Sequence, residues 1–463
     1  MPSGAAYDAA QACLCRPTPT QADRAQLHLG FNTGVAAVDV LAPIGRGQSM
    51  LVCGPSKIGK SSLAGEMLLE AASTSTFTSA INFQLDGEHK TLGQNLVTEF
   101  GSPARTMTGK VLDLFTAVAH AEAVRDEGGH AFLVLDSVAP IVEAWDIARR
   151  WAEQAAQGPV NQESLATQRR SLFAGLLERA ANLARGGSLT LILLVETPTI
   201  TEVGGASSLG SFNLDDFADR PQAEKERLQN VAKKGVKLSF AALQAMGIAP
   251  PKEDAAQPPS TSPGQANTAL QRELQSLSDG QIVLSANAEG RHPAVAAGAT
   301  LSRFGLGQAD PAVVKTGRPK RDVRPPVLQA VAAHLRIELA LDEDRRFNPQ
   351  ATSSTHEQSP DGMQSAQLHA VKAALQQPLG ARLKFEETTA LLLAACSGAF
   401  DVLTPEQRAA ALRGGAEAPL VQHLRSSAPE ILDQIREGPR LSQESVRKLD
   451  VSVRLFVALQ RAS

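Results

Sequence analysis

The chain has 463 residues, which exceeds one typical domain and favours two or three hydrophobic cores. Its 43% hydrophobic and 20% charged residues are typical of a soluble globular protein, and a net charge of −3 argues against general binding to nucleic acid. With only four cysteines, the sequence argues against a disulfide framework. No apolar run is long enough to span a membrane.

Residues 1–28 predict an N-terminal tail. They are rich in Ala, Thr and Gln, yet Asp8 and Asp23 balance Arg16 and Arg24, which is a poor composition for a transit peptide. A targeting role for this tail stays open.

From Leu27 to about Gly307 the chain alternates short apolar runs with longer helical stretches. This alternation predicts an α/β fold, with a mostly parallel sheet and helices on both faces. The predicted strands are Met50–Cys53, Ala80–Gln84, Phe132–Leu135, Leu189–Val195 and Gln281–Leu284.

The run after the first of these strands fits the phosphate-binding pattern Gly-x-x-x-x-Gly-Lys-Ser. Its glycines let backbone N–H groups curl around phosphates, and the following helix directs its positive dipole end at them. Lys60 would neutralise the terminal phosphates, and Ser61 would offer a hydroxyl to Mg²⁺. The alternative is a glycine turn before an ordinary helix. The candidate phosphate-binding residues are Gly54, Pro55, Ser56, Lys57, Ile58, Gly59, Lys60, Ser61 and Ser62.

Two carboxylates could complete such a site. Asp136 follows the apolar run Phe132–Leu135, where P-loop proteins carry the second anchor for Mg²⁺, although Asp is also a favoured helix N-cap. Glu88 follows the strand after the P-loop helix, where a carboxylate could orient an attacking water. By itself, a glutamate in such a turn is as well explained as a solvated charge.

Two stretches interrupt the pattern. Residues from about 199 to 275 contain Pro250-Pro251 and a Pro- and Ser-rich run at 258–264, which predicts a low-complexity, largely disordered insertion. Phe347 to Asp361 is polar and is predicted to be a surface excursion.

The chain after Glu386 is predicted to be helical. Gly438-Pro439 would end one helix, and the last helix would begin near Ser442. That helix is predicted to place one apolar face against the core, formed by Val446, Leu449, Val453 and Phe456.

Further motifs accompany the P-loop in chain order. They are Thr33-Gly34, Val38-Asp39, Leu41 to Gln48, Arg125-Asp126, Leu176 to Ala181, Gly186 to Thr190, Glu196-Thr197, Ser276, Asp279 to Ile282, Pro293-Ala294, Ser302-Arg303-x-Gly305, Glu386-Glu387 and Leu441 to Ser445. Together they resemble the α subunit of F-type ATP synthases. The resemblance covers about residues 29–198 and 275–463.

The resemblance implies a RecA-like P-loop NTPase core over 29–310, with the insertion inside it, and a helical C-terminal domain over 311–463. It implies ATP or ADP and Mg²⁺ as ligands. It also implies a hetero-hexameric ring with β-like subunits, bound to other synthase subunits and reaching the membrane only through that complex. The expected locations are the mitochondrial inner membrane or the periphery of the chloroplast thylakoid.

The same resemblance assigns roles to individual residues. Arg303 matches the arginine finger that reaches into the neighbouring subunit's site, so the candidate catalytic residues are Lys60, Glu88 and Arg303. His292 and Pro293 fall beside the adenine, although a simple loop histidine fits His292 equally well. Gln377 matches an adenine-side glutamine, whereas the second glutamine of that pair is replaced by Leu379.

Three departures from the family bear on function. The stretch before Leu27 is too short for the N-terminal β-barrel domain, so we expect the chain to lack it. Glu88 stands where α subunits carry glutamine and β subunits carry the catalytic glutamate. The long insertion falls in a loop that is short in α subunits.

These departures leave three hypotheses: an α-like synthase subunit, an independent ATPase that uses Glu88, and a non-catalytic assembly or interaction paralogue. A basic stretch could suggest nucleic-acid binding, but interleaved prolines favour a solvated linker, and we expect no nucleic-acid partner. Its residues are Lys315, Arg318, Lys320, Arg321 and Arg324.

Overall fold

The structure is a computed structural model. It describes residues 16–27, 29–74, 76–84, 97–101, 106–155, 161–197, 263–286, 293–302, 335, 339, 365–437 and 441–462. The chain divides into two compact units, one formed by 1–195 with 273–463 and the other by 196–272. Glu88, His292 and Arg303, the surface excursion and most of the insertion lie outside the described residues.

The described strands run in chain order as follows: Gly30–Phe31 (β1), Ile44–Gly45 (β2), Ser49–Gly54 (β3), Ser79–Gln84 (β4), Val97–Phe100 (β5), His130–Asp136 (β6), Ala181–Asn182 (β7), Ser188–Glu196 (β8), Gly280–Ala286 (β9), Pro293–Val295 (β10) and Leu301–Ser302 (β11). All five strands predicted from the sequence are confirmed, each within a residue or two of its predicted bounds. The additional strands are short or lie at sheet edges, where the apolar signal is weak.

The described helices run in chain order as follows: Ala36–Leu41 (α1), Lys60–Ser73 (α2), Met107–Asp126 (α3), Ala139–Ala155 (α4), Gln162–Leu177 (α5), Pro263–Leu277 (α6), Ser365–Ala374 (α7), Phe385–Cys396 (α8), Pro405–Leu412 (α9), Pro419–Ser427 (α10), Pro429–Glu437 (α11) and Gln443–Ala462 (α12). None of them combines the length and the apolar composition that a membrane crossing requires.

The main sheet follows the order β10-β9-β3-β8-β6-β4-β5, with β11 beside β9 and β7 beside β8. The pairs β3–β9, β6–β8, β4–β6 and β4–β5 are parallel, whereas the short edge strands pair antiparallel. This is the predicted α/β architecture with a RecA-like order of strands. Because parallel strands are covered on both faces, the central ones are almost continuously apolar; in β8, every residue from Ser188 to Val195 is buried.

One core lies between the sheet and the helices that cover it. Three phenylalanines meet there, Phe31, Phe77 and Phe132, with ring centroids 5.0 to 5.2 Å apart. Cys53 of β3 is buried as a free thiol, and Cys396 of α8 is also free, in agreement with the expected lack of a disulfide framework in this part of the chain.

A second core lies among helices α7 to α12. Its fully buried members include Leu391, Phe400 and Val453. Helix α1 of the nucleotide-binding region contributes Val40 and Leu41 to this same cluster. The helical region is therefore packed directly onto the sheet region through α1.

Three expectations need correction. The end of the predicted disordered insertion is helical, because 263–275 belongs to α6, which leads into β9. Val446 of the last helix is 46% exposed, whereas Leu449, Val453 and Phe456 are buried as predicted. Val446 lies seven residues before Val453 and so on the same side of the helix; its exposure goes with its position in the first turn of α12.

The third correction concerns the predicted tail, whose residues 16–27 contact the folded core. The amide of Ala25 donates to the Asn182 carbonyl at 2.8 Å, and Arg16 forms an ion pair with Asp126 at 2.8 Å. Arg24 donates to the Ala180 carbonyl at 3.0 Å. The two arginines of the predicted tail therefore hold it against the sheet region.

Asp39 of α1 is a buried acid that is hydrogen-bonded to Thr33. Its Oδ1 accepts from the amide of Thr33 and from the Thr33 hydroxyl, each at 2.8 Å. Burial raises the pKa of the Asp39 carboxyl to about 7, and the neighbouring Glu70 charge adds to the rise. The folded state therefore holds the proton of Asp39 at pH values where the unfolded chain has released it.

This raised pKa predicts how stability depends on pH. Between the unfolded value near 3.8 and the folded value near 7, the folded state binds more protons, so the free energy of unfolding falls as pH rises. Asp39→Asn keeps the acceptor oxygen and should remove roughly 2 kcal/mol of this fall between about pH 5.5 and about pH 8. Urea unfolding of both proteins at the two pH values measures it. An unchanged slope in the variant would show that Asp39 does not titrate in this range.

Candidate functional site

The P-loop connects the end of β3 to the start of α2. Gly54 closes the strand, and a Cβ there would lie 2.8 Å from Cγ2 of Ile58 and 3.2 Å from Cβ of Leu284. Gly59 has φ of 103°, a left-handed conformation that favours glycine. The two glycines therefore permit a close turn that a side chain would block.

The first turn of α2 is an uncapped helix N-terminus. Its N-cap is Gly59, which has no side chain, so no side-chain bond satisfies the first amides of this 14-residue helix. The helix dipole adds positive potential at the same place, and the hydroxyls of Ser61 and Ser62 are exposed there. These features fit a phosphate group, which supplies both negative charge and acceptor oxygens.

The side chain of Lys60 forms hydrogen bonds with the start of the P-loop. Its Nζ donates to the carbonyl of Gly54 at 3.0 Å and to that of Pro55 at 2.7 Å. The ammonium group is thus held beside the uncapped amides. Its charge partly offsets the effect of burial on Cys53, whose thiol pKa burial raises to about 12. Cys53 therefore stays a protonated, unreactive thiol below the loop.

Asp136 ends β6 on the same edge of the sheet as the P-loop. β8 lies between β6 and β3, so two strand spacings, about 10 Å, separate the ends of these strands. The side chain of Asp136 is half-buried. Helix α4 begins at Ala139, and the Ser137 hydroxyl accepts a hydrogen bond from the Ala139 amide at 3.3 Å.

Gln84 ends β4 and pairs in register with Asp136. The chain that leads to Glu88 therefore starts from the same edge as the P-loop and Asp136. Among the residues that the structure describes, no three His, Cys, Asp or Glu side chains form a metal-binding group.

Gln377 has a structural role that its sequence pattern did not indicate. Its Nε2 donates to the carbonyls of Gly34 and Ala381, each at 2.6 Å, and its Oε1 accepts from the amide of Ala36 at 3.1 Å. One amide group thus connects the start of α1 with the loop before α8. Its predicted contact with adenine stays a prediction, and it would require an exchange of one of these partners.

Two acidic side chains on the outer face of α2 contact the loop before α8, which Gln377 also contacts. Oε1 of Glu66 accepts from the Gly380 amide at 3.0 Å, and Glu70 lies 3.5 Å from Nε of Arg382. Gly34, at φ of 73°, allows the close approach, since a Cβ there would lie 2.9 Å from Cβ of Arg382. The spacing of four residues between Glu66 and Glu70 was the available sequence signal, because it places both acids on one helix face.

The fold and this edge of the sheet define a P-loop nucleotide-binding protein with a RecA-like core. Residues 34–201 match the family described as "ATP synthase alpha/beta family, nucleotide-binding domain". The matched segment includes α1, the P-loop and Asp136. This part of the chain is therefore similar to the nucleotide-binding domain of that family.

Three relatives extend this comparison. The ATP synthase subunit alpha 2 of Cereibacter sphaeroides is 32% identical over 219 residues, which make up 44% of this chain and 42% of that protein. The ATP synthase subunit alpha 2 of Gluconobacter oxydans is 26% identical over 462 residues, 96% of this chain and 72% of that protein. The ATP synthase subunit alpha of Latilactobacillus sakei is 22% identical over 446 residues, 92% and 68% of the two chains.

These matches support an α-like relationship to F-type ATP synthases. The match to the first relative spans less than half of that protein's length. All three relatives are bacterial, so the comparisons give no support to the organellar location that the resemblance suggested.

The contacts of Gln377 predict a cost in stability. Gln377→Leu should lower the free energy of unfolding by about 2 kcal/mol, because three backbone groups lose a partner near the junction of the two cores. The adjacent Gln376 is a matched control, since its Oε1 has no partner among the described residues and Gln376→Leu should cost less. Chemical denaturation without nucleotide measures both. Equal costs would mean that the three bonds of Gln377 contribute nothing specific.

Proposed function

We propose that this protein is an ATP-binding α-like subunit of an F-type ATP synthase. It would bind Mg²⁺ and ATP or ADP at its P-loop and contribute Arg303 to the site of a neighbouring β-like subunit. That mixed site would carry proton-driven ATP synthesis or the reverse hydrolysis. The main support is the folded P-loop within a domain of the ATP synthase alpha/beta type, together with the matches to α subunits along nearly the whole chain.

The phosphates would lie against the uncapped amides of α2, within reach of Lys60. A bound Mg²⁺ would neutralise phosphate charge, with Ser61 and Asp136 as its protein-side oxygen donors. His292 and Pro293 would lie beside the base. Pro293 begins β10, which pairs with the end of β9 at the carboxyl edge of the sheet, so this placement agrees with the position of the P-loop.

The register of β11 supports a role for Arg303 outside its own subunit. Ser302 pairs with Gly280 at the amino end of β9, whereas Gly54 is level with Leu284, four residues further along. That offset is about 13 Å. The strand runs away from the P-loop as it reaches Ser302, which Gln48 holds at 3.0 Å. Arg303 follows directly, so we infer that it serves a site in an adjacent subunit.

One exposed aromatic side chain on α4 supports a protein partner. The helix begins just after Asp136, and only Pro140 and Ile141 among its residues are buried. Trp151 is 69% exposed. A large exposed aromatic side chain is typical of interaction surfaces, where it fills a pocket on the partner.

A second candidate function is an independent ATPase that uses Glu88. It is favoured by the end of β4, since Gln84, four residues before Glu88, is in register with Asp136. Here Glu88 would orient the attacking water, and a second copy of the chain would supply Arg303.

Nucleotide binding itself is tested at Lys60. Lys60→Ala should abolish binding of Mg-ATP, because it removes the cation held at the loop. Lys110→Ala is the control, since it also removes a lysine, from α3 and outside the phosphate-binding residues. Titration with a fluorescent ATP analogue measures both. Binding that survives Lys60→Ala would refute the assignment of the P-loop.

The catalytic roles are tested by turnover. The chain alone and its mixture with a β-like subunit are assayed for Mg-ATP hydrolysis, each with Arg303→Ala and Glu88→Gln. For an α-like subunit, the chain alone is inactive and Arg303→Ala lowers the activity of the mixture by about 10³-fold without loss of ATP binding. Arg318→Ala, in the basic stretch, is the control for charge.

The other outcomes separate the alternatives. Turnover by the chain alone that Glu88→Gln removes would establish the independent ATPase. Tight ATP binding without turnover, with no effect of Arg303→Ala in the mixture, would point to the non-catalytic paralogue.

A further inference from the structure

Helix α12 has two apolar faces. One packs into the core of the helical region through Leu449, Val453 and Phe456, which are at most 4% exposed. The opposite face carries Val451, Leu455 and Leu459, which are 66%, 56% and 57% exposed. A surface helix normally keeps its outer face polar, so this second face is not explained by packing within the chain.

The spacing of the outer face suits another helix. Val451, Leu455 and Leu459 recur every four residues, and the exposed Ala458 fills position i+7 between them. This is the i, i+4, i+7, i+8 pattern of a helix-packing stripe, with a small residue that allows close approach. We call these four residues the outer stripe.

A row of arginines follows one edge of the outer stripe. Arg447, Arg454 and Arg461 are all exposed and recur every seven residues, which keeps them on one side of the helix. Arg447 lies four residues before Val451, and Arg454 three residues after it, so each borders the stripe. Asp450 pairs with Arg454 at 2.8 Å, and the pair Lys448–Glu444, at 2.9 Å, lies on the face of the stripe, one to two turns before Val451. The edge with the arginines therefore keeps a net positive charge.

We propose that the outer stripe of α12 is a docking surface for an amphipathic helix of a partner protein. The partner helix would bring its own apolar stripe, edged by acidic residues at heptad spacing that face Arg447, Arg454 and Arg461. Flanking charge pairs of this kind set partner choice in paired helices. The proposal is independent of nucleotide chemistry, since it depends only on α12.

A second copy of this chain is a poorer occupant. In an antiparallel pair related by a twofold axis, equivalent edges face each other, so the arginine row would meet itself. In a parallel pair, the arginines would face the edge with Ser452, where α12 carries no acid; its acids, Glu444 and Asp450, are each paired with a base of the same helix. Both arrangements place positive charge against positive charge or against neutral groups.

A membrane surface also fits less well. The outer stripe contains only valine, leucine and alanine, without the aromatic side chains that anchor interfacial helices. The opposite face of α12 packs into the core, which fixes the rotation of the helix. Basic residues therefore border the apolar stripe on one side and cannot be brought to both sides. An acidic amphipathic helix matches both the narrow stripe and its one-sided charge.

The test uses the full chain and two synthetic amphipathic helices. Both probes carry leucine at heptad positions a and d; one has glutamate along its flanks and the other has lysine. Affinities are measured by fluorescence anisotropy of labelled probes. We expect the glutamate probe to bind at least about tenfold more tightly than the lysine probe, because three arginines line the surface.

Three variants locate the binding. Leu455→Ser should weaken binding of the glutamate probe about tenfold, because it removes the central contact of the stripe. Val402→Ser is the matched control, since Val402 is 60% exposed but lies outside α12. Arg454→Glu should weaken binding of the glutamate probe and strengthen that of the lysine probe. Because all three side chains are exposed, these variants should fold, which circular dichroism verifies.

Several results would overturn the proposal. Equal binding of the two probes, or none by either, would refute recognition of an acidic helix. Binding to phosphatidylserine vesicles but not to the glutamate probe would assign the face to membranes. Dimerisation in sedimentation that Leu455→Ser removes would assign it to a second copy of the chain.

Discussion

Parallel strand pairing is the constraint on which the rest of this structure depends. Because β3, β4 and β6 run in one direction within a single sheet, their carboxyl ends lie along one edge. The P-loop, Gln84 and Asp136 are distant in sequence and meet there only through this pairing. The sheet can hold that arrangement because its central strands are apolar and are covered on both faces. The uncapped start of α2 then gives this edge its positive potential.

The candidate site is not isolated from the helical region. Helix α2 carries Lys60 at its start, while Glu66 and Glu70 further along contact the loop before α8. Gln377 connects that loop to Gly34 and Ala36, and α1 places Val40 and Leu41 in the helical core. A displacement of α2 would therefore disturb bonds made to the C-terminal region. These contacts give a physical route by which ligand binding at the P-loop could change the packing of the C-terminal helices.

Helix α12 carries four of the exposed large apolar side chains of the described chain, whereas α4 carries one, Trp151. Single exposed apolar residues are common on protein surfaces, but three that recur every four residues on one helix face are not. The arginine row also belongs to α12. Of these two helices, α12 is therefore the one whose exposed face needs a partner to explain it.

Much of this molecule could be read from its sequence. Local chemistry determined the five main strands and the P-loop, because continuous apolar runs and a glycine pattern leave few alternatives. It also determined the core face of α12, although Val446, in the first turn of that helix, is exposed. The helix over 263–277 was missed, because its flanking prolines and polar residues resemble a disordered segment.

Only the tertiary structure decided what contacts what across long separations. Gln377 lies more than 300 residues from Gly34, and no periodicity or motif records a hydrogen bond of that range. The same holds for Arg16 and Arg24, whose charges resembled those of a loose tail until the structure placed them on the core. Likewise, the pKa of Asp39 is raised by burial, which depends on packing around α1 and not on its neighbours in sequence. Sequence determined the local elements and their chemistry, and packing decided which of the polar groups became structural.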